Sequence, residues 1–368
     1  MHGVMRYYKI WLPLLSIVLF VSLAELICRG FALTDKLDTD FKFYINNITG
    51  DLWARYNVED AFLMWFPKPN YSDGDININS QGFRDKEYTV KKDKNVFRIL
   101  CLGDSSTFGL GVQLQDTYHA LLENRLNKEF GQRGRRFEII NAGVTGYTSC
   151  QGLGLYKLKG FKYTPDIVTF YFGINDGKKF FYISDKQIMH HNIPAAVKAA
   201  MEKNLLLKLH SYRLLRNFIV NVLCIGKKNV RVNVPRVSLE DFRENILELN
   251  RLCGKNGSVL LLVSPPYSKL KDLRGNSLID IDFISYRELL EDISKKHNIP
   301  LVSIPEMTEG SPLDTTPFFL DTVHPNQLGH RIIMERLYDY LVANKLFPRH
   351  ILITKDNPHL RQPPDTED

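Results

Sequence analysis

The 368-residue sequence predicts an α/β fold in which a mainly parallel β-sheet is covered by helices on both faces. Two observations lead to this prediction. From Phe97 onwards, short apolar runs alternate with segments whose apolar residues recur at helical spacing. Three of the runs end in Gly, Asn, Asp or Ser, which is typical of strands that stop at the ligand-binding edge of an open sheet.

The first predicted strand, residues 97–102, carries the most informative ending. Its apolar run stops at Gly103, and Asp104 and Ser105 follow directly. A buried strand that ends in Gly-Asp-Ser places a hydroxyl group at the carboxyl edge of the sheet, where the backbone N–H groups of the next helix can face an anion. Ser105 is therefore a candidate nucleophile, although Gly-Asp-Ser is also ordinary turn and N-cap chemistry.

The remaining elements follow in a regular order up to one interruption. The predicted elements are helix 116–130, strand 137–140, helix 151–162, strand 167–172, helix 239–253, strand 258–263, helix 283–297, strand 301–304 and helix 327–346. Residues 177–237 break the alternation and are predicted to be an insertion. Ahead of the first strand, residues 78–88 are predicted to form an edge strand followed by a turn.

The N-terminus predicts export. Residues 10–24 contain no charged side chain, and the apolar run continues to Cys28, which is about the length of a membrane-spanning helix. Arg6 and Lys9 precede it, so we expect the N-terminus in the cytoplasm and the body of the chain on the exoplasmic side. A cleaved signal peptide is the alternative, because Ser22 and Ala24 fit a small-x-small cleavage site.

These features define the expected organisation of the chain. It comprises a cytoplasmic N-terminus (1–9), a transmembrane anchor (10–28), an N-terminal extension (29–95), a main domain (96–346, with its insertion at 177–237) and a C-terminal tail (347–368).

Polar residues capable of serine chemistry collect at the strand ends and near the C-terminus. Asp321 stands three residues before His324, a spacing that lets a carboxylate bond the imidazole Nδ1 and leave Nε2 free to take a hydroxyl proton. A serine needs such a base, and an ester carbonyl under attack needs hydrogen-bond donors. The Ser105 N–H, the N–H of a glycine such as Gly146 and the amide of Asn175 can supply three donors; Gly143 is a rival to Gly146.

Composition excludes several other classes. The net charge of +7 is concentrated in residues 198–236, which contain nine Lys or Arg and one acid, so the remainder is nearly neutral, unlike most nucleic-acid-binding proteins. The five cysteines form no CxxC pair, and the histidines match no zinc pattern. We expect no metal, no cofactor and no nucleic-acid partner.

In this order, the blocks GDSS, NAGVTG, GIND and DTVHPN resemble the SGNH/GDSL hydrolase family over about residues 97–346. The four family letters fall on Ser105, Gly146, Asn175 and His324, and the catalytic aspartate of the family falls on Asp321. The N-terminal anchor and the NSQGFRD block also resemble bacterial membrane-anchored members. The resemblance implies a flavodoxin-like three-layer α/β/α domain that cleaves or transfers ester-linked acyl groups without a cofactor.

The leading hypothesis is an exported, membrane-anchored serine esterase that acts on ester-linked acyl groups, O-acetyl among them, of a small molecule or a glycan. An O-acyltransferase acting on an envelope polysaccharide and a non-catalytic carbohydrate-binding module are the alternatives. The insertion has two interpretations. Residues 195–225 are helix-prone and form either a helix packed on the domain with a solvated basic face, or part of a lid, residues 195–236, that rests on anionic lipid.

Overall fold

The computed structural model of the protein describes residues 4–30, 55–60, 62–131, 135–181, 184–190, 211, 214, 234–266, 281–304, 318–321 and 323–347. They belong to two compact units: the smaller comprises residues 1–65 and 187–233, and the larger comprises residues 66–186 and 234–368.

The strands are β1 (Asn57–Asp60), β2 (Met64–Pro67), β3 (Val96–Gly103), β4 (Arg136–Gly143), β5 (Ile167–Tyr171), β6 (Lys179–Phe181), β7 (Val234–Pro235), β8 (Val259–Ser264) and β9 (Leu301–Ser303). The helices are α1 (Val4–Gly30), α2 (Ser105–Phe108), α3 (Tyr118–Phe130), α4 (Ser149–Leu158), α5 (Asp185–His190), α6 (Leu239–Lys255), α7 (Ile281–His297) and α8 (Gln327–Ala343), with short 3₁₀ turns at Leu114–Asp116 and Gly160–Tyr163.

The central sheet has five parallel strands in the order β4-β3-β5-β8-β9. Every residue of β3 and of β5 is buried, which explains why both read as apolar runs without alternation. Of these five strands, β3 comes first along the chain and lies between β4 and β5, which come second and third. This is the flavodoxin-like order. The topological switch point therefore lies between β3 and β5, where such sheets bind ligands.

Helices cover both faces of this sheet. On one face, Leu122 and Leu126 of α3 share a buried cluster with Ile333 and Leu337 of α8. On the other, Phe242 of α6 packs against strand β5 and helix α7, with its ring centroid 5.6 Å from that of Phe170 and 5.2 Å from that of Tyr286. The predicted α/β fold with a parallel sheet is confirmed, and the predicted strands and helices occur within a few residues of their expected bounds.

The predicted edge strand at residues 78–88 is wrong. This segment is irregular because the Asn79 side chain accepts hydrogen bonds from the backbone N–H groups of Gln81 and Phe83, which bends the chain into a turn. The strand prediction failed because its few apolar residues sit in a polar segment whose side chains satisfy the backbone locally.

The smaller unit contains α1, where Glu25 accepts hydrogen bonds from the Arg29 side chain (2.8 Å) and from the backbone N–H and hydroxyl of Ser211 (both 2.9 Å). Among the residues described here, no helix is long and apolar enough to cross a membrane. Most of the predicted basic segment 195–236, and the tail beyond residue 347, lie outside the described residues.

The prediction that the basic segment faces lipid is wrong for Arg236. This residue is one of the nine bases of the segment, but its side chain is 1% exposed and forms an ion pair with Asp185 (2.7 Å). A buried, paired guanidinium is not available to an anionic surface. The charge in the sequence window therefore overstates the charge that the segment can present.

Candidate active site

Ser105 lies at the carboxyl edge of β3, as its position after the apolar run predicts. It is the first residue of α2, and the preceding Asp104 caps this helix by accepting a hydrogen bond from the Ser106 N–H (2.9 Å). Gly103 makes the tight turn possible, because a Cβ atom there would lie 2.0 Å from the Thr107 Oγ1. The turn brings the serine hydroxyl to the switch point of the sheet.

The structure brings Ser105 together with Asp321 and His324, which lie more than 200 positions later in the sequence. The Ser105 Oγ lies 2.9 Å from the His324 Nε2, and the His324 Nδ1 lies 2.5 Å from the Asp321 Oδ2. The other carboxylate oxygen of Asp321 accepts hydrogen bonds from the backbone N–H groups of Val323 and His324, both at 2.8 Å. These three side chains form one continuous chain of hydrogen bonds.

Two opposing effects set the charge state of Asp321. Partial burial acts to raise the pKa of its carboxyl group, but the hydrogen bond from the His324 side chain and those from the two N–H groups outweigh this, together with the charge of His324. The pKa of Asp321 lies well below its usual range, so this residue is a carboxylate at neutral pH. A carboxylate in this position favours the imidazole tautomer that carries its proton on Nδ1.

Two backbone N–H groups near the serine are candidates for holding an oxyanion. The Ser105 N–H belongs to the first residue of a helix, so it has no intrahelical acceptor. Within the described part of the chain, neither this group nor the Gly146 N–H has a hydrogen-bond acceptor. The rival Gly143 is different, since its N–H donates to the Asn141 Oδ1 at 3.0 Å. The structure therefore favours Gly146 over Gly143.

Asn175 follows β5 and lies beside both other loops. Its side chain is 3% exposed, and its Nδ2 donates to the Tyr147 carbonyl oxygen at 3.0 Å. The same nitrogen lies 3.5 Å from the Asp104 Oδ2, a long contact for a hydrogen bond. One amide hydrogen thus fixes the side chain to the loop of Gly146, and the other is only weakly engaged.

Buried carboxyl groups fix the loops behind these residues. Asp176 accepts hydrogen bonds from the Ser149 N–H (2.9 Å), the Ser149 hydroxyl (2.5 Å) and the Gly173 N–H (3.1 Å). Burial raises the pKa of Asp176 to about 7 against the lowering effect of these bonds, and burial likewise raises the pKa of Asp104. His330 accepts a hydrogen bond from the Tyr118 N–H at 3.2 Å. All three residues therefore hold the loops and helices around the candidate site in place.

Sequence reasoning missed the role of Arg84. Its buried guanidinium donates to the carbonyl oxygens of Phe108 (3.1 Å), Gly109 (2.5 Å) and Val112 (2.8 Å), and so holds the loop that follows the nucleophile helix. The only signal in the sequence was an arginine inside the NSQGFRD block, ahead of the first strand of the sheet.

Lys178 is a second residue that sequence reasoning missed. It lies three residues after Asn175, and its backbone N–H donates to the Asn175 carbonyl oxygen at 3.3 Å. Burial lowers the pKa of its ammonium group, as does Arg236, while the carboxylates of Asp104 and Asp321 act to raise it. Within the described residues this ammonium has no hydrogen-bond or ion-pair partner. A cation at this edge was not predicted, because GKKF looks like an ordinary surface turn.

The described residues contain no group of three His, Cys, Asp or Glu side chains that could hold a metal ion. The arrangement at the carboxyl edge of the sheet is suited to acyl transfer: a hydroxyl in contact with a base, a carboxylate that orients the base, and N–H donors around the hydroxyl.

Comparisons with known proteins give one family and a set of distant structures. Residues 101–332 match the family described as GDSL-like Lipase/Acylhydrolase. No protein of curated function matches the chain. Three solved structures illustrate the similarity. A lipase/acylhydrolase from Enterococcus faecalis is 18% identical, and the match covers 67% of this chain and 96% of that chain with a TM-score of 0.43. An acetyl xylan esterase is 15% identical, and the match covers 66% of this chain and 98% of that chain with a TM-score of 0.42. A GDSL-like lipase from Bacteroides thetaiotaomicron is 16% identical, and the match covers 67% of this chain and 88% of that chain with a TM-score of 0.39.

Proposed function

The chain belongs to the GDSL-like lipase/acylhydrolase family and is a hydrolase of ester bonds, and from this premise we propose that it removes ester-linked acyl groups with Ser105 as its nucleophile. One observation carries the proposal. The Ser105 Oγ, the His324 ring and the Asp321 carboxylate are connected by contacts of 2.9 and 2.5 Å. The intact chain of contacts favours catalysis over the alternative of a binding module, which has no need of a base on its serine.

In the acylation step, the Ser105 Oγ attacks the carbonyl carbon of the ester while the His324 Nε2 takes the hydroxyl proton. Asp321 holds the imidazole through Nδ1 and stabilises the imidazolium that forms. When the tetrahedral intermediate collapses, the bond to the leaving alcohol breaks and His324 gives its proton to the alcohol oxygen. The product of this step is an acyl ester on Ser105.

The negative charge that develops on the carbonyl oxygen needs donors already in place. The N–H groups of Ser105 and Gly146 and the Asn175 amide are the proposed set. Their availability supports this assignment, because two of them have no acceptor within the described residues and the third has one weakly engaged hydrogen. Donors that are fixed before the reaction stabilise the transition state without the cost of reorganising solvent.

In the second step, a water oxygen attacks the acyl carbon while the His324 Nε2 takes a proton from that water. The bond between the acyl carbon and the Ser105 Oγ then breaks, His324 returns its proton to the Oγ, and the acid is released. A sugar hydroxyl in place of water would give transfer instead of hydrolysis, so the deacylating nucleophile decides between the two. We propose hydrolysis of acyl groups, O-acetyl among them, on a small molecule or a glycan. Ile174 and Phe283 form a small buried apolar cluster against which the partly buried Val323 packs. Ile174 and Val323 are adjacent in sequence to Asn175 and His324, so this cluster is the proposed apolar neighbour of a short acyl group.

The full-length protein tests this proposal on 4-nitrophenyl acetate. We expect Ser105→Ala to abolish hydrolysis while the circular dichroism spectrum stays that of the native chain. Ser106→Ala is the matched control, because it removes the hydroxyl group of the adjacent residue and keeps the backbone N–H that bonds Asp104 at 2.9 Å. Full activity of Ser105→Ala, or equal losses in both variants, would falsify the assignment.

We further propose that residues 10–28 anchor the enzyme to a membrane with the catalytic domain on the exoplasmic side. The charge-free run in the sequence supports this, as do the apolar side chains of α1, of which Leu15, Val18, Leu19 and Phe20 are 58–74% exposed. Anionic lipid as a partner of residues 195–235 is part of the same proposal. The full-length protein should remain with the membrane fraction after carbonate extraction, and release by carbonate would contradict the anchor.

A further inference from the structure

The turn that contains Gly146 is closed by a single backbone hydrogen bond of its own. Gly146 has a φ of 73°, a left-handed conformation that glycine adopts readily and other residues rarely do. The only backbone bond within the turn at residues 144–147 runs from the Tyr147 N–H to the Val144 carbonyl oxygen at 3.1 Å. Glycine is also the most flexible residue, so an N–H donor on Gly146 needs contacts from outside the turn to fix its direction.

Arg236 supplies such a contact. Its Nη1 donates to the Gly146 carbonyl oxygen at 2.7 Å, and its Nη2 donates to the Gln151 Oε1 at 3.0 Å. Gln151 in turn accepts a hydrogen bond from the Thr148 N–H at 3.2 Å, in the capping box that begins α4. The guanidinium therefore holds both ends of the segment that leads from the Gly146 turn into α4.

Asp185 fixes the guanidinium in this position. Its carboxylate accepts from the Arg236 Nε at 3.2 Å and from Nη2 at 2.7 Å, and both side chains are 1% exposed. The same carboxylate accepts a hydrogen bond from the Thr148 hydroxyl at 2.9 Å. The Asp185 backbone N–H also donates to the Arg236 carbonyl oxygen at 2.7 Å. The two residues lie in the first and last parts of the predicted insertion, residues 177–237, and pair with each other.

We propose that Arg236 and Asp185 are positioning residues for the oxyanion donor Gly146. The pair, which we name the Arg236–Asp185 clamp, holds the Gly146 carbonyl group, which belongs to the peptide unit that follows the Gly146 N–H. Fixing this unit limits rotation at Gly146, and the N–H on the other side of its Cα atom then keeps one direction, toward the substrate carbonyl oxygen. The clamp touches no reacting atom and acts only through Gly146. This inference rests on the proposed function, because it assigns the clamp to a donor of the proposed oxyanion site.

A second buried arginine provides a matched control. The Arg98 side chain is fully buried and pairs with Glu138 through Nε (2.9 Å) and Nη2 (2.5 Å), and its Nη1 donates to the Tyr163 carbonyl oxygen at 2.8 Å. It thus combines a carboxylate and a carbonyl acceptor, as Arg236 does. Arg98 lies near the amino end of β3, at the opposite end of the strand from Ser105. Its loss should lower stability without displacing an oxyanion donor.

The experiment compares Arg236→Met, Arg236→Lys, Asp185→Asn and Arg98→Met by ester hydrolysis, with rates expressed per folded molecule from circular dichroism. For Arg236→Met we expect kcat to fall about ten- to a hundredfold, as small displacements of catalytic groups do, with KM changing less than about threefold. Arg236→Lys keeps the charge opposite Asp185 but cannot reach Gly146 and the carboxylate together, so kcat should fall while the melting temperature is largely kept. Asp185→Asn should lower kcat less, and Arg98→Met should leave kcat unchanged.

Three results separate the possible outcomes. If Arg236→Met does not fold, Arg236→Lys decides, and a wild-type kcat in that variant overturns the clamp. An unchanged kcat in Arg236→Met, with a melting temperature lowered as in Arg98→Met, also overturns it and leaves Arg236 with a structural role alone. Full activity of Ser105→Ala would instead remove the proposed function itself, whatever the Arg236 variants show.

Discussion

The polar groups at the two ends of the central sheet differ in their hydrogen bonding. At the amino end, Arg98 and Glu138 pair across β3 and β4, and Asp166 accepts hydrogen bonds from the Arg98 N–H (2.7 Å) and the Lys92 Nζ (2.6 Å). At the carboxyl end, the N–H groups of Ser105 and Gly146 have no acceptor within the described residues. Both ends are built on the same strands and differ only in what the polar groups contact.

The difference shows how the fold separates stability from chemistry. Polar groups that bond one another at the amino end stabilise the sheet and have no capacity left for a ligand. At the carboxyl end, Asp104, Asp176 and Arg236 bond the surrounding loops, and this fixes in place a few donors that remain available. We therefore expect substitutions of the catalytic side chains and oxyanion donors at the carboxyl end to lower turnover, and substitutions at the amino end to lower the free energy of unfolding without changing turnover.

The largest effect is expected for the three proposed catalytic side chains. His324→Ala should lower kcat by about a thousandfold or more, because Ser105 then has no base. The triple variant with Ser105→Ala and Asp321→Ala should be little worse than Ser105→Ala alone, since the residues act as a unit. Steady-state kinetics on one soluble ester decides this, and independent, additive losses would contradict a shared mechanism.

At the amino end, Arg98→Met should lower the free energy of unfolding by about 3 kcal/mol, because it leaves a buried ion pair without its arginine. This is the lower end of the usual cost, since Arg136 still contacts Glu138 at 2.9 Å. Urea denaturation measures the change. Replacing both partners, as Arg98→Met with Glu138→Leu, should recover much of the loss, since no buried charge is left unpaired. A fall in kcat per folded molecule in either variant would contradict the claim that substitutions at the amino end change stability and leave turnover unchanged.

Asn175→Ala should lower kcat by about a hundredfold, because the amide is proposed to meet a charge that exists only in the transition state. The apparent affinity for substrate should change much less. The kinetic constants kcat and KM, measured together, separate this role from one in substrate binding. An unchanged kcat would show that Asn175 only bonds Tyr147 and that the donors lie elsewhere.

The smallest effect concerns pH. Burial raises the pKa of Asp176 from 3.8 to about 7, so its contribution to stability is fully present below about pH 4 and is lost as the pH rises through about 7. The slope while the carboxyl titrates is at most about 1.4 kcal/mol per pH unit. Urea denaturation between pH 5 and pH 8 should show a decline that is flatter in Asp176→Asn. Equal slopes in the two proteins would contradict the raised pKa.

The sequence was sufficient to predict the elements that depend on local pattern. Buried strands such as β3 and β5 appear as apolar runs, and the spacing of Asp321 and His324 is short enough to predict their contact. The contact between Ser105 and His324 spans 219 positions. It was expected because a serine nucleophile needs a base and because the four blocks resemble the SGNH/GDSL family, not because of any local pattern.

The rest depended on tertiary packing. Arg84 and Arg236 each donate to carbonyl oxygens far along the chain, and backbone carbonyls leave no signature in a sequence. Arg236 was grouped with surface bases because its neighbours are basic, and its burial could not be predicted without knowing that Asp185 lies opposite. The irregular segment around Asn79 was mistaken for a strand because side-chain bonds to the backbone compete with strand pairing.

The most direct test of the central claim is to find the acyl group during turnover. The full-length protein would be mixed with 4-nitrophenyl acetate, quenched in acid within the first turnover and digested for mass spectrometry. We expect one acetyl group per chain, on the peptide that contains Ser105, and none on that peptide in Ser105→Ala. An acetyl group on a different residue, or hydrolysis that proceeds in Ser105→Ala at the native rate, would contradict a nucleophile at the carboxyl edge of β3.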